Sequence, residues 1–532
     1  MSGAAMTLPE QPLRAPDQDG QSLEWPRLVE LPGLARQNRS ALANVSRDID
    51  SLPLDSLRQT ARQELITAAR HYTRQYRDVA PDSSGPGDPV YLAGHQPTLF
   101  HPGVWFKNFC LDGLARHSNG VAVNLVIDND LCLSRSIRVP GGSPAEPRTV
   151  QIPFDVAPQT GSPAPYESQR LGDPPTFQAF GDSIAEQLKF LVPDPLIRQL
   201  WPEVIGIAAT TGNPFLAMAA GRHRLESRLG LNTLELPLSQ VCGSGSFARF
   251  ASELLRRHEE FRQVHNQALQ DYRRAQRIRS SAHPVPELAT DGSWTESPFW
   301  VWHQAAPRRR GLRVARAGQQ IRLSNGADWQ GVCRSAELAE YLMSLPEQGI
   351  AIRTRALTTT MYCRLLPGDL FVHGIGGGKY DQLSNRIMER FFGISPPEFA
   401  IVTGTWRLPV ERPEVSPADL NLVDRRLREL TWHPERHLGA SDGPARKLAD
   451  RKQRLLEQIP PRGQRRTWQQ QISQINAALR PAVATIHDRL RAERNRLQND
   501  LGRRRILDSR EFAWCLFPPS LADRLRCQRN IP

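Results

Sequence analysis

The 532-residue sequence has no apolar run of the roughly 20 residues that a membrane-spanning helix needs. Its N-terminus has no basic segment followed by an apolar one, the pattern of a secretory signal peptide. The seven cysteines form no Cys-x-x-Cys pair and are odd in number, which argues against a disulfide framework or a zinc knuckle. We therefore expect a cytoplasmic protein with reduced thiols, no resident metal and no membrane association.

Outside its C-terminal region the chain has little net charge. The formal net charge is +13, and residues 421–532 contain 24 Lys+Arg against 12 Asp+Glu, which is nearly the whole excess. A basic excess of this kind predicts an anionic partner such as a phosphate, a nucleotide or a nucleic acid. The alternative interpretation is a solvated helical surface.

A strand–turn–helix–strand pattern occurs near residue 90. The run "VYLAGHQ" predicts a short buried strand, "VWFKNFCLDGLARH" has helical spacing, and "GVAVNLVIDND" predicts the next strand. Such units build parallel sheets with right-handed crossovers. A similar strand, glycine stretch, helix and strand follow at "DLFVHGIGGGKYDQLSNRIMERFFG" and "PEFAIVTGTW". The sequence therefore predicts an α/β fold in two parts.

Between and around these parts the patterns differ. We predict a loosely ordered start over residues 1–40, one long amphipathic helix over 246–279, and a small β-rich element after it. The predicted domains are an N-terminal extension and helix (1–80), the first part of the core (81–240), the inserted helix and β-rich element (241–345), the second part of the core (346–415) and a basic helical domain (416–532). In that last domain, apolar residues at steps of three, four or seven predict a coiled coil with a kink at Pro481.

The stretch "GHQPTLFHPG" lies just beyond the first predicted core strand. Ligands of parallel α/β sheets bind beyond the carboxyl ends of the strands. Pro102 is suited to the first turn of a helix, and the following backbone N–H groups favour an anion. His95, Gln96 and His101 supply polar side chains around that position. The alternative interpretation is a tight turn whose histidines cap and pack.

A second candidate site is "VIDND", in which Asp128 and Asp130 follow the next strand. Paired carboxylates there could hold a substrate ammonium, a ribose hydroxyl or a metal. Acidic residues are also common turn formers, so the pattern alone leaves these interpretations open.

A third candidate is the glycine-rich stretch after the later core strand. Its exposed amides and one ammonium suit a phosphate or a carboxylate, although the spacing matches neither a Walker A loop nor the dinucleotide fingerprint. Two arginines precede this segment and could clamp a carboxylate. The residues concerned are Gly376, Gly377, Gly378, Lys379, Arg353 and Arg355. A flexible connection between strand and helix is the alternative.

Four ordered stretches, spanning about Tyr91 to Trp406, together carry a resemblance to a known family. They are "GHQPTLFHPGVWFKNF", "NLVIDNDL", the helix that ends in "SSAHPVPEL", and "RTRALTTTMYCRLLPGDLFVHGIGGGKYDQLSNRIMERFFGISPPEFAIV". The chain resembles the bacillithiol biosynthesis cysteine-adding enzymes, with Lys107 at the position of that family's loop lysine. It differs from the family at His95, at Asn129 and at Lys379, where the family has glutamine, histidine and an acidic residue.

The resemblance implies a nucleotidyltransferase-like Rossmann core with inserted segments, a helical coiled-coil domain and a homodimer formed through it. It implies an enzyme, a ligase that joins cysteine, or a similar small amino compound, to an amino sugar conjugate. We expect His95 to act as a general base or orienting group, Gln96 and Asp128 to bind polar substrate groups, and Asp130 to hold an ammonium. Lys379 and the glycine amides would hold an anion, and activation of a carboxylate would call for ATP.

Two other functions fit the sequence. One is a metal-dependent sugar-nucleotide transferase that uses Asp128 and Asp130 as a cation site. The other is a non-enzymatic protein whose basic helices hold a nucleic acid or a protein partner. For each interpretation except the last, the polar loops should meet at one edge of one parallel sheet.

Overall fold

A computed structural model describes residues 13–79, 85, 87–156, 163–439 and 443–528. The chain forms two compact units. The first comprises the described parts of residues 1–139, 150–408 and 510–532, and the second those of 140–149 and 409–509. The predicted domain over residues 416–532 therefore matches the second unit only as far as Ser509.

The strands form two larger sheets and two short ribbons. They are β1 (Gln21–Trp25), β2 (Asp48–Ile49), β3 (Leu52–Pro53), β4 (Val90–His95), β5 (Val121–Val126), β6 (Ser136–Gly142), β7 (Pro147–Pro153), β8 (Leu234–Pro237), β9 (Thr290–Asp291), β10 (Trp294–His303), β11 (Ala306–Ala317), β12 (Gln320–Ser324), β13 (Gln330–Arg334), β14 (Ile350–Thr354), β15 (Leu370–His373) and β16 (Ala400–Thr405).

The α-helices supply most of the remaining regular structure. They are α1 (Leu31–Ala43), α2 (Leu54–Arg74), α3 (Pro102–Ser118), α4 (Pro174–Leu188), α5 (Ile197–Thr211), α6 (Pro214–Arg228), α7 (Leu238–Val241), α8 (Gly245–Arg256), α9 (His258–Ala275), α10 (Leu338–Ser344), α11 (Ala356–Leu365), α12 (Ile375–Ile387), α13 (Pro417–Trp432), α14 (Gly443–Glu457), α15 (Arg465–Leu479), α16 (Ala484–Leu507) and α17 (Ser520–Gln528). Within the described residues, no helix is both long enough and apolar enough to cross a membrane.

The parallel sheet of the first unit has the strand order β1-β16-β15-β4-β5-β8. Strands β4, β5, β8, β15 and β16 are parallel to one another, and β1 is antiparallel to β16. The central strands β4 and β5 are buried along almost their whole length, as expected for apolar strands covered on both faces. The structure thus confirms a mixed α/β fold with parallel strands.

The second larger sheet is antiparallel and has the order β13-β12-β11-β10-β14, with β9 paired to β10. Strands β9 to β13 lie within residues 241–345, where the sequence predicted a small β-rich element. Strand β14, which the sequence placed in the second part of the core, pairs with β10 and so belongs to this sheet.

Two predictions of local structure were wrong. Residues 246–279 form two helices, because Arg257 leaves the helical region and its guanidinium bridges Glu253 of α8 and Glu260 of α9. Residues 13–40 contain β1 and α1, since β1 finds a partner in β16, a strand nearly 400 residues away. Residues 1–12 of the stretch predicted to be loosely ordered lie outside the described residues.

The second unit is helical, and its apolar core joins α13 to the segment around α16. Its buried members are Val423, Leu430, Val483 and Leu490, spaced by seven residues on each segment. The predicted break at Pro481 is confirmed, because α15 ends and the 24-residue α16 begins on either side of it. Coiled-coil pairing of this region stays a prediction.

Candidate functional site

The strand order of the parallel sheet reverses between β4 and β15. Counted along the chain, the five parallel strands have the order 3-2-1-4-5. In open α/β sheets, ligands bind at such a reversal, beyond the carboxyl ends of the strands. The loops that follow β4, β5 and β15 all lie at this carboxyl edge, which was the arrangement expected from the sequence.

His95 is the last residue of β4, at the carboxyl edge of the sheet. It is only 7% exposed, and neither ring nitrogen has a hydrogen-bond partner among the residues described. Burial, assisted by the charges of Arg222 and Lys107, lowers the pKa of His95 well below its usual value. The imidazole is therefore neutral near pH 7, and the same burial weakens it as a base, which favours an orienting role.

Lys107 of α3 approaches the same strand end, where its Nζ donates to the carbonyl oxygen of Gly94 at 3.3 Å. It is 4% exposed, and burial lowers its pKa to about 8. No carboxylate within the described residues pairs with it. A buried ammonium without a counterion is a frequent property of functional sites.

His101 has a structural role that the sequence allowed for. Its Nδ1 accepts a hydrogen bond from the backbone N–H of Gly103, so it caps α3, whose first residue is Pro102. Burial lowers the pKa of His101 to about 4. The capping interpretation is therefore correct for His101, whose ring is neutral.

The two acids of "VIDND" point to different partners. Asp128 is fully buried, and its carboxylate accepts from the backbone N–H and the hydroxyl of Ser239 at 2.9 and 2.5 Å. Burial and the nearby Glu167 raise its pKa to about 7. Asp130 is 40% exposed in its side chain and accepts from Gln96 and Arg309. The two carboxylates therefore form no common site.

The two arginines near the end of β14 also differ. Arg353 is buried and donates twice to Glu167, at 2.9 and 2.7 Å, so its guanidinium is occupied within the protein. Arg355 immediately precedes α11, pairs with Glu296 and lies 4.1 Å from the centre of the Trp300 ring. Arg355 lines a cavity.

The three glycines belong to the first turn of α12 and form no loop. A side chain at Gly377 would meet Nδ1 of His373 at 2.7 Å, and one at Gly378 would meet Ile401 at 2.3 Å. These two glycines thus permit close packing of α12 on the sheet. Gly376 and Lys379 are exposed, and the carbonyl of Lys379 accepts from Tyr272.

A cavity of about 260 Å³ opens beside the β5 loop, and we call it the rim cavity. Its polar lining includes Asp130, Arg309, Arg355, His265 and Asn129. Arg309 donates to Asp130 at 3.0 Å, and Arg309 and Arg355 both lie within 4.5 Å of the centre of the Trp300 ring. The backbone of the first turn of α11 completes the wall. Burial lowers the pKa of His265 to about 4, so its ring is neutral.

A second cavity, of about 370 Å³, has Asp130 in common with the first. Gln96 lines it and donates to Asp130 at 2.5 Å. The remaining wall is mostly apolar, with Leu99, Phe154 and Phe215. Of the residues chosen from the sequence, Asp130, Arg355 and Gln96 therefore line cavities, whereas Asp128, Arg353 and His101 are bonded within the protein.

Sequence reasoning missed a histidine–aspartate pair at the end of β15. His373 Nε2 lies 2.9 Å from Asp381, which also accepts from Arg364 and Thr360 at 2.6 Å. Burial opposes ionisation of Asp381, but Arg364 and His373 hold its pKa well below the usual range. The visible signal was His373, which precedes the glycine-rich stretch in the sequence.

Sequence reasoning also missed Trp300 and Arg309, which come from the antiparallel sheet. The arginine run on β11 was a visible signal, but nothing in it showed which arginine faces the core.

Within the described part of the chain, no group of three or more His, Cys, Asp or Glu side chains is placed to hold a metal ion.

No family model matches the chain. No curated protein is significantly similar to it in sequence.

Proposed function

We propose that this chain is a ligase or transferase of the cysteine-adding type, and that it binds a small α-amino acid in the rim cavity. One observation carries the proposal: a carboxylate, Asp130, and two guanidinium groups, Arg309 and Arg355, line a single small cavity at the carboxyl edge of the parallel sheet. Opposite charges in one cavity match a zwitterion. The proposal includes a Rossmann-like, nucleotidyltransferase-like core, which the strand order and its reversal support.

The charges suggest an orientation for the amino acid. Its carboxylate would accept from the N–H groups of Arg355 and Arg309 that do not bond to Glu296 and Asp130, since guanidinium groups carry several donors. The N-terminus of α11, a ten-residue helix, favours the same negative charge. The ammonium would then lie at Asp130. At about 260 Å³ the cavity is below the roughly 300–1,000 Å³ of drug-sized sites, so a short side chain such as that of cysteine fits best.

His95 is proposed as the base or orienting group for the reacting amine. It is neutral and its ring nitrogens have no partner within the described residues, so it could accept a proton. It is the last residue of β4 and pairs with Val126 at the end of β5. The loop that carries Asp130 follows Val126 directly. Asp128 is proposed to hold this loop in place through Ser239.

Formation of an amide from a carboxylate needs activation, and ATP would supply the phosphate when bound. The N-terminus of α12 fits its phosphates, since Gly374 provides no side-chain cap and Gly376 is open to a close approach. Lys379 would add a positive charge there. The proposal also includes a homodimer formed through the second unit.

Calorimetry with L-cysteine and two truncated analogues tests the proposed binding mode. Cysteamine lacks the carboxylate, and 3-mercaptopropionate lacks the ammonium. We expect cysteine to bind best, Arg355→Gln to abolish the preference for cysteine over cysteamine, and Asp130→Asn to abolish the preference over 3-mercaptopropionate. Arg322→Gln, on the antiparallel sheet outside the cavity, is the matched control.

Failure of cysteine to bind at millimolar concentration would overturn the proposal. The proposal would also be overturned if the wild type, Arg355→Gln and Asp130→Asn bound cysteine with equal affinity. Product formation is then tested by mass spectrometry with cysteine, ATP and glucosaminyl malate.

The metal-dependent alternative finds no support in the geometry, because Asp128 and Asp130 bond to separate partners. The nucleic-acid alternative depends on the exposed arginines of the second unit, such as Arg446, Arg451 and Arg454 of α14. Filter binding of RNA across a salt series tests it, since phosphate contacts weaken steeply with salt.

A further inference from the structure

Strand β11 alternates arginines between its two faces. On β11, Arg309 lines the rim cavity, while its neighbours Arg308 and Arg310 line a separate groove. Successive side chains of a strand project to opposite faces, which explains this division. Trp302 of β10 also lines the groove.

The groove is large and rich in cationic groups. Its volume is about 850 Å³, within the range of sites that hold a nucleotide-sized ligand. Arg170, from the loop before α4, lines it together with Arg308 and Arg310. Arg135 also lines it, but it is neutralised by a buried ion pair with Asp155.

The three remaining arginines have no carboxylate within 4.0 Å among the described residues. On the same sheet, Arg309 and Arg313 are paired with acids at 3.0 and 2.8 Å. The groove has a single acid in its described lining, Asp328, whose carboxylate accepts from the Asn325 amide at 2.7 Å and interacts with the charge of Arg310. It offsets one of the three guanidinium charges. An excess of positive charge therefore remains in the groove.

The groove lining also contains a buried hydrogen-bond donor without an acceptor among the described residues. Trp302 is 2% exposed, and its Nε1–H has no acceptor within the described part of the chain. A buried donor without an acceptor carries a substantial free-energy penalty, which an acceptor atom of a ligand would relieve. The lining thus offers donors, and its three guanidinium groups outnumber its one carboxylate.

We propose that this groove binds a phosphorylated small molecule with two or more negative charges, held by Arg170, Arg308 and Arg310. Guanidinium groups are the preferred partners of phosphate because they donate through paired N–H groups. The volume exceeds what a single phosphate needs, which favours a diphosphate or a larger organic phosphate. The site is independent of the rim cavity and of the proposed function.

Isothermal titration calorimetry of the full chain with inorganic pyrophosphate and with ATP tests the proposal. We expect both probes, or one of them, to bind the wild type, and Arg308→Gln/Arg310→Gln to weaken that binding at least tenfold. Because ATP is also proposed to bind at the N-terminus of α12, the ATP titrations are repeated with Lys379→Gln added to each variant. Arg316→Gln/Arg334→Gln removes two exposed arginines from the same sheet outside the groove and should leave it unchanged. Added salt should weaken binding to the wild type more than binding to the groove variant.

The two probes separate the sources of phosphate. Loss of pyrophosphate binding in the groove variant supports recognition of the phosphates alone, and loss of ATP binding only supports a nucleotide ligand. No binding of either probe to the wild type, or equal binding by both double variants, would overturn the proposal. Asp130→Asn should bind the probe like the wild type, so that failure of cysteine binding and failure of this site are distinguishable. Circular dichroism of each variant controls for folding.

Discussion

Two polar clusters of the first unit are built from similar residues but differ in how these are paired. One is the rim cavity. The other, which we call the buried cluster, comprises Arg222 and Glu226 of α6, Glu235 of β8, and the groups around them. Arg222 is 2% exposed in its side chain, and both glutamates are fully buried. Glu226 also accepts from Trp105 and Asn108 at 2.7 Å.

The comparison separates charge used for stability from charge available for binding. In the buried cluster, Arg222 donates to both carboxylates, and a ligand could displace neither without exposing the core. In the rim cavity, Asp130 remains 40% exposed, and its ion pair with Arg309 faces open space. Burial and pairing, and not residue type, therefore distinguish a structural cluster from a candidate site.

Replacement of Arg222 should have the largest effect on stability. Arg222→Met would leave two buried carboxylates without a cation, and removal of one partner of a buried ion pair typically costs about 3–5 kcal/mol. Arg313→Met is the matched control, because Arg313 and its partner Asp291 are both exposed, at 40% and 73% of their side chains. Urea unfolding followed by tryptophan fluorescence measures both variants. Equal losses would show that the buried cluster is no more important than a surface pair.

The pH dependence of stability sharpens the same comparison. Burial raises the pKa of Glu235 from 4.5 to about 7, in spite of the neighbouring Arg222. Its folded-state pKa is therefore above the unfolded value, so its contribution to stability is full below pH 4.5 and is lost as the pH rises to about 7. Glu235→Gln should make the slope of unfolding free energy against pH less negative by up to about 1.4 kcal/mol per pH unit in this window.

Asp128 titrates with the same sign, because burial raises its pKa to about 7 as well. Asp128→Asn should therefore flatten the slope in a similar way, and the double variant should flatten it further. A slope unchanged in both single variants would contradict the assignment of these buried acids as the titrating groups.

Part of this organisation was predictable from the sequence. The apolar run of β4, the helix opened by Pro102 and the acids after β5 identified a parallel unit and its carboxyl edge. Asp130 was selected because it follows a core strand and Arg355 because it precedes the glycine-rich stretch, and both line the rim cavity. These inferences depended on local patterns, which a sequence displays directly.

The rest depended on contacts between distant residues. Arg353 was chosen by the same argument as Arg355, but it is held by Glu167, 186 residues earlier in the chain. Arg309 belongs to a run of three arginines, and alternation shows that its neighbours face the other way without showing which face meets the core. The glycines before Lys379 were interpreted as a loop, whereas two of them allow α12 to pack closely against His373 and Ile401.

The smallest effect on stability is expected at the rim cavity itself. Asp130→Asn removes a partly exposed ion pair with Arg309, and such pairs contribute about 0–1 kcal/mol. The amide would still accept from Gln96 or Arg309, so no buried group loses its partner. Urea unfolding should thus place this variant within about 1 kcal/mol of the wild type, while its calorimetric affinity for cysteine falls tenfold or more. A large loss of stability would place Asp130 with the structural residues of the buried cluster, and the contrast between binding charge and structural charge would then fail at the residue on which it depends most.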